Sequence, residues 1–336
     1  MPGVRQQTLF GAPPPAEPDA ACGPAPVSDA VAALGARLPP LLRFGTSSWG
    51  YSGWVNLVYD RVTSDKALAK SGLTAYSQHP LLRAVGVDRT HYAPMSAAQY
   101  RELADQVPEH FRFLAKAHEV LTLARFPRHP RYGAQAGEIN GRFLDAAYAA
   151  EMVIGPFWEG LGRKAGPLLL QLAPQRLEDL GGARGFADRL GAFLRAQPRG
   201  PYLAVEVRNS ALLTPQFSDA LASARAGPCL LAHPALPDVE TQAELLDIKR
   251  FPALVLRWML RRDLDHEAAG AKYAPFDRLQ DEDEPTRAAV ARLAVAAVTA
   301  GRPALIIVNN NAEGSAPRSV VKLAEAVAAL LPPAPG

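Results

Sequence analysis

Eight short apolar runs recur along the chain, most followed by a longer amphipathic stretch, and this alternation limits the fold more than any other feature. The runs occupy residues 41–47, 84–88, 111–117, 167–172, 202–207, 228–233, 253–258 and 304–309. Each has the length of a buried strand, and several are apolar almost throughout, as strands covered on both faces should be. The segments between them carry helix signals. Ser96 opens 96–107 as an N-cap, Pro198 stops 183–197, and Gly227 closes 215–227 as a C′ glycine. Residues 284–301 begin with Glu284 and Pro285 and end at Gly301. A further helix is expected over 139–153, and the last over 315–331. Eight strand–helix alternations predict a single α/β (β/α)8 TIM-like barrel over residues 41–331. An open doubly wound sheet is the alternative topology.

The 336 residues suit one such barrel with extensions. Residues 1–40 are rich in Pro, Ala and Gly and read as a disordered, flexible arm. A net charge of +3 is too small to argue by itself for a nucleic-acid partner. Cys22 and Cys229 lie in unlike contexts, so no disulfide is expected and the cytoplasm is the expected compartment. No apolar run reaches the roughly 18 residues of a membrane span.

A barrel of this kind places its site at the C-terminal ends of the strands. Polar residues there are expected of any strand that leaves a core. Polar residues inside the apolar runs are not, because buried charges are costly unless paired. Lys116, Gln171, Glu206 and Arg257 are of this second kind. Glu206 and Arg208, two apart on one strand, face the same side and can both point into the mouth. Glu206 is the first acid/base candidate and Asp88 the second. The alternative for Glu206 and Arg208 is a structural ion pair at the rim. Lys116 is read as an anion anchor or, alternatively, a Schiff-base lysine. Arg208 and Arg257 would neutralise phosphate or carboxylate, and Gln171, Asn309 and Asn310 would hydrogen-bond hydroxyls. Trp49, Tyr51, Trp54 and Tyr92 would rim the mouth and stack on a sugar or base. The rival for Trp54 is a plug between its loop and the first helix. The asparagine-rich chain at 309–320 leads into the last helix, whose first N–H groups can hold an anion or be capped by Ser315. HxH, HExxH and CxxC patterns are absent, as are a Walker A loop and a GxSxG elbow, so no metal site and no cofactor are predicted.

The segments "GTSSWGYSGW", "VGVDRTHYAPMS", "FRFLAKAHE", "LAVEVRNSALL", "LVLRWM" and "VNNNAEGSAPRSVVKL" resemble, in order and spacing, the YecE-like family, domain of unknown function 72. The resemblance spans residues 41–331 and implies a β/α barrel without implying a reaction. Its barrel type is similar to that of xylose isomerases and endonuclease IV, an analogy of fold alone. The chain departs from the family twice. Gly86 and Asp88 stand where the family commonly has Glu and Asn, and Arg257-Trp258-Met259 stands where it often has Arg-Leu-His. The metal-ligand set of endonuclease IV is not recognisable. In the arm, Gln6-Gln7-Thr8-Leu9-Phe10 resembles the bacterial sliding-clamp-binding pentapeptide, with Gln6, Leu9 and Phe10 as contacts and Gln7 departing from the pattern.

These residues support an enzyme-like barrel that binds a small anionic or sugar-like ligand, a sugar phosphate or a nucleic-acid backbone, with hydrolysis of a phosphodiester or glycosidic-type substrate as the reaction class. The alternatives are a sugar isomerase or Schiff-base lyase, and a non-enzymatic module associated with DNA and the sliding clamp.

Overall fold

The computed structural model describes residues 22–332. The clamp-like peptide at residues 6–10 lies outside them. Eight parallel strands close in chain order into a barrel. They are β1 (Leu42–Thr46), β2 (Leu82–Val87), β3 (Arg112–Lys116), β4 (Ala165–Gln171), β5 (Leu203–Glu206), β6 (Gly227–Ala232), β7 (Leu254–Trp258) and β8 (Ala304–Val308). All eight apolar runs became strands. β1 closes the ring by pairing with β8, Leu42 opposite Ala304 through Thr46 opposite Val308. Among the described residues no helix is long and apolar enough to cross a membrane.

The strands separate two cores. Outside, residues such as Phe44, Val85, Phe113, Leu256 and Ile306 pack against the helices. Inside, Ala84, Leu114, Leu169, Ala204, Cys229, Val255, Leu305 and Ile307 form a separate apolar plug. Side chains two apart on a strand share a face. Counting two residues toward the C-terminal end of β3, β4, β5 and β7 from this plug gives Lys116, Gln171, Glu206 and Arg257. The four polar residues inside apolar runs therefore form the layer directly above the plug. Near β2 the wall is tight. A Cβ on Gly45 would lie 2.1 Å from the Ala84 carbonyl oxygen, and one on Gly86 would lie 2.6 Å from that of Ser47.

Helix punctuation follows the sequence in most places. Ser96 and Gln99 form a reciprocal capping box on Ala97–Ala104. Asp283 caps Glu284–Thr299, with Pro285 in its first turn, and Gly301 turns left-handed beyond its end at φ 72°. Three expectations are corrected. The helix expected over 139–153 starts at Ala146 instead and continues through Gly155–Leu161. Its middle, Ala149–Ile154, is a widened π turn next to Pro156, which has no N–H to donate. Gly227 does not cap Pro215–Ser223; Arg225 makes the left-handed turn at φ 56°, and Gly227 opens β6. There, a Cβ would lie 1.8 Å from the Tyr202 hydroxyl. Part of the expected arm is helical as well: Asp29–Arg37, capped by Ser28, buries Gly35 against Pro80.

The helix C-termini gather at the end of the barrel opposite the mouth, and basic side chains meet their carbonyls there. Arg83 donates to Gly35 at 2.5 Å. Lys164 Nζ donates to Ala104 and Val107, both at 2.8 Å. Arg302 donates to Ile248 and Phe251.

Candidate functional site

Glu206 is the centre of the mouth and is wholly buried. Its Oε2 accepts from Arg257 Nη1 at 2.5 Å, and its Oε1 accepts from Arg208 Nε at 3.1 Å. Arg257, also buried, makes a second bond from Nη1 to Gln171 Oε1 at 2.9 Å. β4 and β5 pair Gln171 directly with Glu206, so the backbone sets this triangle. Lys116 Nζ lies 3.0 Å from Asp88 Oδ1 and joins the cluster from β3.

Burial works against ionisation of Glu206, but Arg257, Arg208 and Lys116 together outweigh it and hold the carboxyl below its usual range. Burial pushes the Lys116 ammonium down and Arg257 adds to that, with Asp88 offsetting part of the shift. Burial likewise opposes the Arg257 charge, and Glu206 outweighs it. Three cations thus face two carboxylates, an excess of one positive charge at a barrel end.

Exposure sorts these residues. Glu206 and Arg257 are 0% and 1% exposed, whereas the side chains of Lys116, Arg208 and Asp88 are 11%, 22% and 41% exposed. Glu206 therefore does not fit the role of acid/base: both oxygens are bound to guanidinium groups and neither reaches a ligand. Arg257 Nη1 is committed to both Glu206 and Gln171, so that nitrogen is not free for an anion. The most exposed charged groups of the cluster are Lys116, Arg208 and Asp88.

The aromatic residues divide in the same way. Trp54 is fully buried and is core, the plug reading of that ring. Trp49 is buried, and its Nε1 donates to Leu68 on the helix Asp65–Ser71, so it faces away from the mouth. Tyr51 is half-buried against Trp54 and Phe276, and burial, with Asp88 adding to it, raises the pKa of its hydroxyl. Tyr92 is 63% exposed, with Arg131 5.4 Å over its ring. Asn310 is buried, and its Oδ1 accepts from Ala316 N, so it caps the first N–H of the last helix, a role the Ser315 side chain does not take. Asn309 Oδ1 is engaged by Asn311 N. Of the two family departures, Gly86 has no room for a Cβ, and Met259 takes its place at the wall with its sulfur 3.6 Å from Ser47 Oγ.

The long connection from His118 to Tyr148 borders the mouth, and its residues 118–138 carry no strand or helix signal. It contributes His118, whose Nδ1 is 2.7 Å from the Tyr148 hydroxyl, and the half-buried loop ring Tyr132. It also contributes Glu119, bound by Arg131 at 2.5 Å and by the Tyr132 hydroxyl at 3.0 Å. About twenty residues without periodicity but dense in His and Arg were the available signal, because loops of that length in a compact barrel tend to be functional. Among the described residues no group of three or more His, Cys, Asp or Glu side chains could hold a metal ion.

Fold and mouth together define a (β/α)8 barrel with a buried charge cluster at the C-terminal ends of its strands. The chain belongs to the family described as protein of unknown function DUF72, whose model matches residues 43–335. A DUF72 family protein from Thermotoga maritima superposes with a TM-score of 0.55 at 16% identity, over 84% of this chain and 98% of that one. A DUF72 family protein from Enterococcus faecalis does so with a TM-score of 0.54 at 18% identity, over 85% of this chain and 95% of that one. At these identities the likeness is one of fold. No curated protein matches the chain.

Proposed function

We propose that the barrel mouth binds the phosphate or carboxylate group of a small anionic ligand, a sugar phosphate or one unit of a nucleic-acid backbone, through Lys116 and Arg208. The observation that carries this reading is the excess positive charge of the cluster, combined with the partial exposure of those two cations. Glu206 serves it indirectly: it fixes Arg208 and Arg257 and keeps the guanidinium groups from collapsing onto the ligand. If the bound group is then hydrolysed, Asp88 is the carboxylate positioned to act as base, since it is the one the site exposes. Inorganic phosphate and ribose 5-phosphate, titrated calorimetrically, test the reading. Lys116→Ala and Arg208→Ala should each weaken binding about tenfold, in line with the loss of one charge-assisted hydrogen bond. Dissociation constants unchanged in both variants would reject it.

A second reading is favoured by the environment of Lys116. Burial and Arg257 lower its proton affinity, and Asp88 lies within proton-transfer distance, which are the conditions for an amine nucleophile. Borohydride treatment with an aldose phosphate separates the two. A covalent adduct on Lys116 supports Schiff-base chemistry, and its absence with intact phosphate binding leaves the anchor.

A further inference from the structure

We propose that a cavity on the outer wall of the barrel, between the helix Asp29–Arg37 and the last helix Ala316–Leu330, is a binding site for a small apolar carboxylate. The site lies apart from the mouth and does not rest on the function proposed for it. The cavity measures about 260 Å³. That is just below the roughly 300–1,000 Å³ of pockets for drug-sized ligands, so its ligand is small.

Three observations define the ligand. First, Val31, Leu57, Leu279, Pro317 and Val321 make up much of the wall. Val31, Leu57 and Val321 pack against the core yet stay only half-buried, so apolar surface is left uncovered there. Second, His79 brings an N–H to the cavity. The residue is 8% exposed. Its Nδ1 accepts from the Leu81 N–H at 3.3 Å, and burial keeps the ring neutral, so the ring proton is on Nε2. Among the described residues Nε2 has no acceptor, and His79 lines the cavity. A donor left open on a mostly buried ring calls for an acceptor on the ligand. Third, the charged side chains of the lining are the cations Arg318 and Lys322, and no carboxylate is among the lining residues. Arg318 commits Nε to the Asp277 carbonyl at 2.8 Å, which leaves its Nη groups for a ligand. Lys322 is reached by Glu325 at 3.6 Å, an exposed pair of little strength. Ser28 and Asn56 complete the polar lining: the first caps the helix Asp29–Arg37, and the second is an exposed loop amide that can donate or accept. An amine would therefore meet two cations and a further donor. A carboxylate on an apolar body meets complementary groups at both.

Equilibrium dialysis of the full chain with octanoate, octylamine, octanol and butyrate tests the site. Wild-type protein should bind a single octanoate per chain, about tenfold more tightly than octanol or butyrate, and octylamine more weakly still. Val321→Trp, which puts a large ring into the cavity from a half-buried position, should remove octanoate binding while the variant still melts cooperatively. His79→Leu should weaken binding about tenfold, and His79→Gln, which keeps an N–H donor, should retain most of it. The double variant Arg318→Ala/Lys322→Ala should lower octanoate to the level of octanol. Octanoate binding that survives Val321→Trp, or that exceeds a single molecule per chain, is non-specific apolar association and overturns the site. Equal affinity for octanoate and octylamine overturns the carboxylate assignment, and undiminished binding by His79→Leu overturns the role of His79. Absence of octanoate binding, with a sedimenting dimer that Val321→Trp dissociates, would give the cavity to a second copy of the chain and overturn the ligand.

Discussion

Replacing Glu206 by leucine should destabilise the barrel by about 3–5 kcal/mol, the range expected when one partner of a buried ion pair is removed. Arg257 is 1% exposed and would keep only Gln171 Oε1, since its Nε already has no partner. It cannot escape by deprotonating, because a guanidinium holds its proton at any ordinary pH. Arg208, partly exposed, can turn to solvent and should contribute little to the loss. Unfolding entropy near 2.1 cal/mol/K per residue over 336 residues converts about 4 kcal/mol into a Tm drop of about 6 °C. Scanning calorimetry measures it directly. The informative comparison is the double variant Glu206→Leu/Arg257→Met, in which no buried charge is left unpaired. It should recover most of the lost stability, giving a coupling energy of several kcal/mol between the two sites. A single variant that melts within 1 °C of wild type, or a double variant whose losses simply add, would refute the view that the two groups form an enclosed pair.

Two further predictions follow from the same geometry. Gly86→Ala should cost about 2–3 kcal/mol, because its Cβ would meet a backbone oxygen that cannot swing aside; an unchanged melting temperature would show that β1 and β2 can part there. His79 is buried, and burial lowers its pKa to about 4 from an ordinary 6.5. The unfolded chain therefore takes up this proton first as the solution is acidified. Stability is full above pH 6.5 and declines as pH falls toward 4, by about 3 kcal/mol at 1.36 kcal/mol per pH unit. Urea titrations of wild type and His79→Gln between pH 7 and 4 should show a shallower slope for the variant, and parallel slopes would reject the assignment.

The barrel was legible because its signal is repeated and local. Eight buried strands must each be apolar on both faces, and each run states that alone. The polar layer was legible for the complementary reason: Lys116, Gln171, Glu206 and Arg257 break runs that have no other use for a polar side chain. What could not be read was which of them a ligand can reach. Glu206 and Arg257 look like reactive groups in isolation, and only the closure of the ring, which sets Gln171 beside Glu206 and brings Arg257 on β7 to both, shows that the two charges are paired. The tryptophans were misleading for a similar reason. Trp49 and Trp54 sit in a loop by sequence, yet Leu68 takes the indole N–H of one, and the tight seat of Gly53 against Pro275 accompanies the burial of the other. Glu119 carried no periodic mark, because its partners Arg131, Tyr132 and His91 converge only after the long connection folds back.

The two ends of the barrel show why counting charges would have located the wrong number of anion sites. Arg43, Arg83 and Arg112 crowd the end opposite the mouth closely enough to depress the proton affinity of Arg43, after burial, through mutual repulsion. By charge alone that end looks more basic than the mouth. Yet each guanidinium there donates to a backbone carbonyl: Arg43 to His110, Arg83 to Gly35, and Arg112 to Glu109 and Phe111. Those carbonyls lie in the last turn of the helix Asp29–Arg37 and in the turn that leads into β3, and the cations there satisfy acceptors that would otherwise be orphaned. At the mouth Arg125 and Arg262 also donate to carbonyls, those of Gly137 and Leu236, but Lys116, Arg208 and Arg257 are held by carboxylates. Glu206 and Asp88 do this for three cations, and the unequal count leaves Lys116 and Arg208 with capacity for a ligand. The same residue types therefore complete the fold at one end and expose a binding charge at the other, and hydrogen-bond accounting, more than surface potential, distinguishes them.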